Sequence, residues 1–184
     1  HNQEIECRFL EINVPALKAR LKELGATDHG EDPLKEIIFE DARGSFALEY
    51  KLLRLRQTNK GAVLTYKDQK VRTIDGTIEI ETKVGDAQKT QQLLEALGFI
   101  AFRQQEKRRH SYTLGPVTVE IDTWPKIPPY VELEGERESE LQEAAEKLGL
   151  DWSKADTTSA RAVIEEHYNI PITKLRYFTF SRIE

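Results

Sequence analysis

In five of the stretches that read as strands, two charges of one sign flank a single apolar residue. Four are acidic: Glu4-Ile5-Glu6, Glu79-Ile80-Glu81, Glu120-Ile121-Asp122 and Glu132-Leu133-Glu134. The fifth is Arg54-Leu55-Arg56. Residues two apart in a strand point the same way, so each stretch reads as a strand with one charged and one apolar face. Like charges then stand roughly 6.5 Å apart along the strand. At an effective dielectric of 20, such a pair repels by about 2.5 kcal/mol before salt screening. A single half-exposed strand tolerates this. A whole set of such strands needs counter-charges on neighbouring strands, bound cations or a bound polyanion.

The rest of the chain supplies a sheet and its helices. Strands are expected over 4–10, 34–41, 52–58, 62–67, 77–84, 104–114, 117–123 and 130–136. Asn59-Lys60-Gly61 and Gly115-Pro116 mark hairpin turns. A helix starts near Asn13-Val14-Pro15, with Pro15 suited to the first turn. Leu17, Leu21 and Leu24 share one of its faces, and Gly25 stops it. Further helices are expected over 87–97, 138–148 and 158–168, the first two ended by Gly98 and Gly149. The Arg-rich stretch 175–182 reads as a last strand. Three of the acidic strands are each followed by a helix that ends in Leu-Gly. Strands in the majority with interspersed helices imply an α+β protein around one large antiparallel sheet, with residues 1–184 as a single domain.

Composition narrows the class. Charged residues are 32% of the 184, yet Lys+Arg at 27 and Asp+Glu at 32 nearly balance, for a net charge of −5. An average domain carries roughly 25% charged residues. The near balance argues against a basic nucleic-acid binder, and the apolar patterning against a disordered chain. Cys7 is the one cysteine, which excludes an internal disulfide framework or a cysteine-rich zinc site. No apolar run approaches the roughly 18 residues of a membrane span. The charged opening from Glu4 to Arg8 carries no signal-peptide signature, so a cytoplasmic location is the expectation.

The surplus charge has a natural home if the sheet closes with its charged face inward. The result is a barrel around a charged tunnel, with helices covering the apolar outside. Clustered carboxylates are hard oxygen ligands for Mg²⁺ or Mn²⁺. Clustered Arg and Lys suit phosphate oxygens. Metal ligands beside phosphate-binding cations point to phosphoryl or nucleotidyl chemistry.

These residues, in this order, resemble the CYTH superfamily, the triphosphate tunnel metalloenzymes. The opening Glu-x-Glu-x-Lys signature reads Glu4-Ile5-Glu6-Cys7-Arg8. Leu53-Arg54-Leu55-Arg56, Leu64-Thr65-Tyr66-Lys67 and Glu79-Ile80-Glu81 follow. Lys107-x-Arg109 with Tyr112, Glu120-x-Asp122 and Glu132-x-Glu134-Gly135 complete the series. The resemblance implies an eight-stranded antiparallel closed β-barrel. It implies a divalent metal, Mg²⁺ or Mn²⁺, on Glu4, Glu6, Asp122, Glu132 and Glu134. It implies a triphosphate gripped by Arg8, Arg54, Arg56, Lys67 and Arg109, with Lys107 a weaker member. It also implies a catalytic role for Glu4, Glu6 and Arg8, with Glu79, Glu81 and Glu120 holding basic residues by ion pairs. Two positions depart from the family: Arg8 replaces the signature lysine, and Ala160 stands where a tyrosine often follows serine.

The expected activity is metal-dependent hydrolysis of a triphosphate. One alternative is class IV adenylyl cyclase chemistry, which converts ATP to cyclic AMP and pyrophosphate at the same site. Another is a non-catalytic polyphosphate or nucleotide-binding module, and a lipocalin-like carrier is disfavoured because its lumen should be apolar. The partner is then a small triphosphate molecule, with no nucleic acid and no membrane, and a homodimer stays open. The sequence holds no G-x-x-x-x-G-K-[ST] phosphate loop. Cys7 reads as a core residue, Trp124-Pro125 as a rigid turn, and His29, His110 and His167 as surface or structural.

Overall fold

Alternation in sequence becomes alternation of burial in the computed structural model, which describes residues 4–68 and 78–184. The strands are β1 (Ile5–Phe9), β2 (Thr27–Glu40), β3 (Lys51–Thr58), β4 (Gly61–Asp68), β5 (Ile78–Val84), β6 (Ile100–Leu114), β7 (Val117–Thr123), β8 (Tyr130–Gly135) and the two-residue β9 (Tyr177–Phe178). The helices are α1 (Val14–Glu23), α2 (Ser45–Leu48), α3 (Ala87–Ala96), α4 (Glu138–Lys147) and the single turn α5 (Ala160–Ala162). The protein is α+β, and the antiparallel hydrogen-bonded order of its main strands is β1-β8-β7-β6-β2-β3-β4-β5, with β9 joined to β6. Two compact units divide the described residues: 4–32 with 108–158, and 33–68 with 78–107 and 159–184. Strands β2 and β6 contribute to both. The division in β2 falls at Pro33, which brings no N–H to a ladder.

In the first unit the apolar faces of three strands make one core. Register sets Cys7 against Leu133 and Leu133 against Val119, and all three are buried. Helix α1 adds Leu17 and Leu21, and α4 adds Leu141, Ala144 and Ala145. The Asn13 side chain accepts from the Ala16 N–H at 3.1 Å, which fixes the start of α1. Fully burying each of these leucines is worth about 2 kcal/mol, so the helices hold to the sheet by its apolar face. The opposite face carries the charges.

In the second unit Phe39, Leu53, Leu55 and Leu94 form the buried centre, joined by Ile37, Phe46, Leu64 and Phe99. The β3–β4 hairpin turns at Gly61, whose φ of 117 suits glycine. Strand β5 ends the order, and its apolar Ile78 and Ile80 stay 62% and 63% exposed. The expected strand over 77–84 matches β5 from Ile78 on, while Thr77 lies outside the described residues.

Strand β6 begins at Ile100, four residues before the expected 104, and three further expected elements differ. Strand β2 begins at Thr27, before any apolar alternation; Asp28 and His29 there bond His110 and Thr113 of β6 at 2.7 Å each. The expected helix over 158–168 is α-helical only through α5. It then widens into a π-helical segment, Val163–His167, and stops at Asn169, whose φ is 57, ahead of Pro171. The Arg-rich tail makes only β9, because its backbone turns back on itself: the Arg176 and Tyr177 N–H groups both donate to the Glu184 carbonyl.

Replacing Leu141, fully buried in α4, by alanine should lower the unfolding free energy by about 3 kcal/mol. The same change at Leu93, 60% exposed, should shift it by less than about 0.5 kcal/mol. Urea unfolding measures both, and equal losses would contradict the core assignment.

Candidate functional site

On the charged face of the first unit, register sets Glu6 opposite Glu134, Arg8 opposite Glu132, Glu120 opposite Glu132 and Arg109 opposite Asp122. Oxygens of Glu6, Glu132 and Glu134 come within 4.8 Å of one another. Two full charges at that distance repel by about 3 kcal/mol at an effective dielectric of 20. Two guanidiniums offset part of this. Arg8, 3% exposed, places Nη2 2.7 Å from Glu132 Oε2 and 3.9 Å from Glu6. Its Nη1 donates to the Thr158 carbonyl, and its guanidinium lies 5.5 Å from the Tyr130 ring centre. Arg109 donates to both Asp122 oxygens at 2.8 and 2.9 Å and pairs with Glu120 at 2.6 Å.

Glu134 receives no such help. Among the described residues no cation lies in ion-pair range of it, and its hydrogen-bond partner is the Glu4 carboxyl. Burial, the bond to Glu4 and the charges of Glu120, Glu132 and Glu6 all push its pKa up. An oxygen cluster short of positive charge fits a hard divalent cation, with Glu6, Glu132 and Glu134 as the gathered donors and Glu4 beside them. Asp122, fully buried, has both oxygens engaged by Arg109 and would have to release it before it could bind metal.

The second unit carries the opposite surplus. Arg54 and Arg56 share a face of β3, and their Nε atoms stand 3.5 and 2.5 Å from one oxygen of Glu36 on β2. Glu36 is 3% exposed. Burial opposes its ionisation, but Arg56, Arg54 and Lys107 together hold its carboxyl well below the usual carboxylate range. Lys67 pairs with Glu79 at 3.2 Å, and Thr65 donates to Glu81 at 2.9 Å. Lys107 is 4% exposed. Of the ion pairs expected from the acidic strands, Lys67–Glu79 and Arg109–Glu120 are present.

Glu36 belongs to no motif in the sequence. The signal that points to it is indirect: two arginines on one strand face require a carboxylate on a neighbouring strand, and Leu34-x-Glu36-x-Ile38 offers one on an otherwise apolar face. The remaining singled-out residues are structural. Cys7 is 1% exposed, and burial pushes its thiol up to about 12, so it is no nucleophile. Trp124 is buried and donates to the Tyr130 hydroxyl at 2.8 Å. His110 bonds Asp28 and stacks on Tyr112.

A family model described as the CYTH domain matches residues 2–159. No curated sequence matches the chain significantly. Among solved structures, the PH1012 protein of Pyrococcus horikoshii is 26% identical over 85% of this chain and 96% of its own, with a TM-score of 0.70. A candidate adenylate cyclase from Vibrio parahaemolyticus is 15% identical over 88% and 97%, with a TM-score of 0.76. HpAC1 from Hippeastrum, a candidate adenylyl cyclase reported to show a dominant triphosphatase activity, is 19% identical over 92% and 97%, with a TM-score of 0.66.

The raised pKa of Glu134 has a measurable sign. A carboxyl with a folded pKa above its unfolded value of about 4.3 favours folding at low pH and loses that contribution as pH rises towards the folded pKa. In metal-free buffer Glu134→Gln should therefore melt higher than the wild type at pH 7 to 9, with the gap shrinking towards pH 4. Melting points that differ equally at every pH would mean that Glu134 sits in no carboxylate cluster.

Proposed function

We propose a divalent-metal-dependent triphosphatase from one premise: the chain belongs to the CYTH domain family, an enzyme family of triphosphatases and adenylyl cyclases. One observation carries the finer reading, the sorting of charge between two strand faces. Among the described residues six carboxylates (Glu4, Glu6, Glu120, Asp122, Glu132 and Glu134) share the first with Arg8 and Arg109, whereas Arg54, Arg56, Lys67 and Lys107 outnumber Glu36, Glu79 and Glu81 on the second. A metal triphosphate carries both complements, a dication and a run of phosphate oxygens. In this reading the sheet closes into a barrel with the charged faces inward, and the enzyme works in the cytoplasm on a small triphosphate.

Glu6, Glu132 and Glu134, with Glu4, would hold Mg²⁺ or Mn²⁺, which supplies charge neutralisation on the phosphate oxygens. Arg54 and Arg56, already oriented by Glu36, present guanidinium N–H groups to phosphate without a further ordering cost. Arg109, braced by Asp122 and Glu120, and Lys67, braced by Glu79, add positive charge where negative charge builds on the leaving phosphate. Arg8 holds Glu132 in place through its 2.7 Å bond. The same fold carries a dominant triphosphatase activity in HpAC1, which supports hydrolysis over cyclisation.

Products decide the reaction. Incubated with tripolyphosphate, ATP or thiamine triphosphate and Mg²⁺ or Mn²⁺, the protein should release orthophosphate. Cyclic AMP with pyrophosphate would instead make it a cyclase, and binding without turnover a sensor. With metal withheld, tripolyphosphate at 100 times its Kd should add about 2.7 kcal/mol of stability, a Tm rise of roughly 5 to 10 °C for a domain of this size. Orthophosphate should do much less, and the double change Arg54→Ala with Arg56→Ala should remove most of the shift. A shift that survives the double change would refute the phosphate assignment.

A further inference from the structure

Behind the Arg54–Arg56 pair, on the same face of the second unit, lies a buried chain of polar side chains that ends beyond the family-matched residues. Gln105 on β6 donates from Nε2 to Glu36 Oε1 at 2.9 Å. Its Oε1 accepts from Arg103 Nε at 2.8 Å. Arg103 Nη1 donates to the Ile172 carbonyl at 3.1 Å. Gln105 is 8% exposed and Arg103 6%, so none of these groups turns to water instead. Ile172 lies in the segment after residue 159, where the CYTH match stops.

The donor and acceptor roles along this chain admit one arrangement. A guanidinium only donates and an ionised carboxylate only accepts. Arg103 therefore takes the Gln105 oxygen, and Gln105 must show its NH₂ to Glu36. The amide cannot flip without setting NH₂ against guanidinium and oxygen against carboxylate. One Glu36 oxygen is thus held by Gln105, which leaves the other facing Arg56 and Arg54. Arg103 is itself an unusual group to bury: burial and the neighbouring Arg161 push its pKa down to about 10. It remains protonated at neutral pH, and it donates to two neutral oxygens, the Gln105 amide oxygen and the Ile172 carbonyl.

We infer that Gln105 and Arg103 are positioning residues for the phosphate-binding arginines, and that the segment around Ile172 is the anchor against which they are set. The inference rests on the phosphate role proposed for Arg54 and Arg56 and deepens it. The C-terminal segment then takes part in triphosphate binding without touching the ligand.

The test uses the full chain in metal-free buffer with tripolyphosphate as the probe. Titration calorimetry gives its Kd, and NMR of the arginine Nε–H groups, assigned through Arg54→Lys and Arg56→Lys, reports guanidinium order in the free protein. Gln105→Glu keeps the shape and the acceptor for Arg103 but faces Glu36 with an oxygen. Gln105→Met removes both bonds. Each should raise the Kd about tenfold, as loss of a hydrogen bond to a charged group does, and should broaden the Arg54 and Arg56 signals. On a Glu36→Gln background the further change at Gln105 should cost little, because the link is already cut. Should the methionine variant fail to fold, the isosteric glutamate variant carries the test. Wild-type Kd and sharp signals in either folded variant would overturn the inference, as would an undiminished cost on the Glu36→Gln background. If the wild type itself binds no tripolyphosphate, the phosphate reading fails, and the Nε–H signals alone still decide whether Gln105 orders the arginines.

Discussion

Everything on the charged strand faces depends on one requirement, that a charge taken from water find an opposite charge within hydrogen-bond reach. The chain meets it mainly by cross-strand pairing, since most of the charged neighbours two apart on a strand have the same sign; Glu6 and Arg8 on β1 are an exception. Arg109 alone serves Asp122 and Glu120, and Arg8 serves Glu132 and Glu6. Glu36 serves Arg54 and Arg56. A buried pair of this kind adds little to stability by itself, but removal of one partner strands the other. These pairs therefore act as specifications of register and side-chain direction, while the apolar faces supply the stabilisation.

Period-two patterns made much of this legible. Val117–Thr123 is a strand with the boundaries that its alternation indicates, and β8 and α4 differ from expectation by a single residue at their C-terminal ends. The acidic triad Glu6, Glu132 and Glu134 is legible for the same reason: two-residue spacing fixes the face, and antiparallel pairing of β1 with β8 brings the faces together. What was not legible lacks a period. The first half of β2, Thr27 to Asp32, is polar throughout and is held by side-chain bonds such as Asp28 to His110. Glu36 has no like charge two residues away on its strand, so no charged pair marks it. The segment after residue 159 mixes α, π and 3₁₀ turns around Asn169 and Pro171, and no single periodicity describes it.

Arg8 shows how one substitution in a motif changes what a position does. A lysine there would offer one ammonium as a point charge. The guanidinium is forked, and this chain uses the fork: one arm holds Glu132 and the other holds the Thr158 carbonyl. The backbone of Arg8 also exchanges two hydrogen bonds with Asp156, at 2.8 Å each. Position 8 thus ties the 156–158 segment to the carboxylate face. Positive charge is kept at this position, but its direction is set by two protein acceptors, which makes Arg8 a brace for Glu132.

The two polar faces solve the same electrostatic problem to different degrees, and the difference has chemical meaning. On the arginine-bearing face each carboxylate is engaged: Glu36 by two guanidiniums and Gln105, Glu79 by Lys67, Glu81 by Thr65. What is left over there is positive, diffuse and already oriented, the condition under which an anion gains most from binding because no side chain must be reordered. On the acidic face the compensation stops one residue short. Glu132 shares Arg8 and Arg109, whereas Glu134 is left with Glu4, a second acid. A further buried protein cation could have closed that gap. The gap is instead kept at the point where three carboxylates converge, and a residual negative charge of fixed geometry can be neutralised by a small dication at far lower cost in space than by another long side chain.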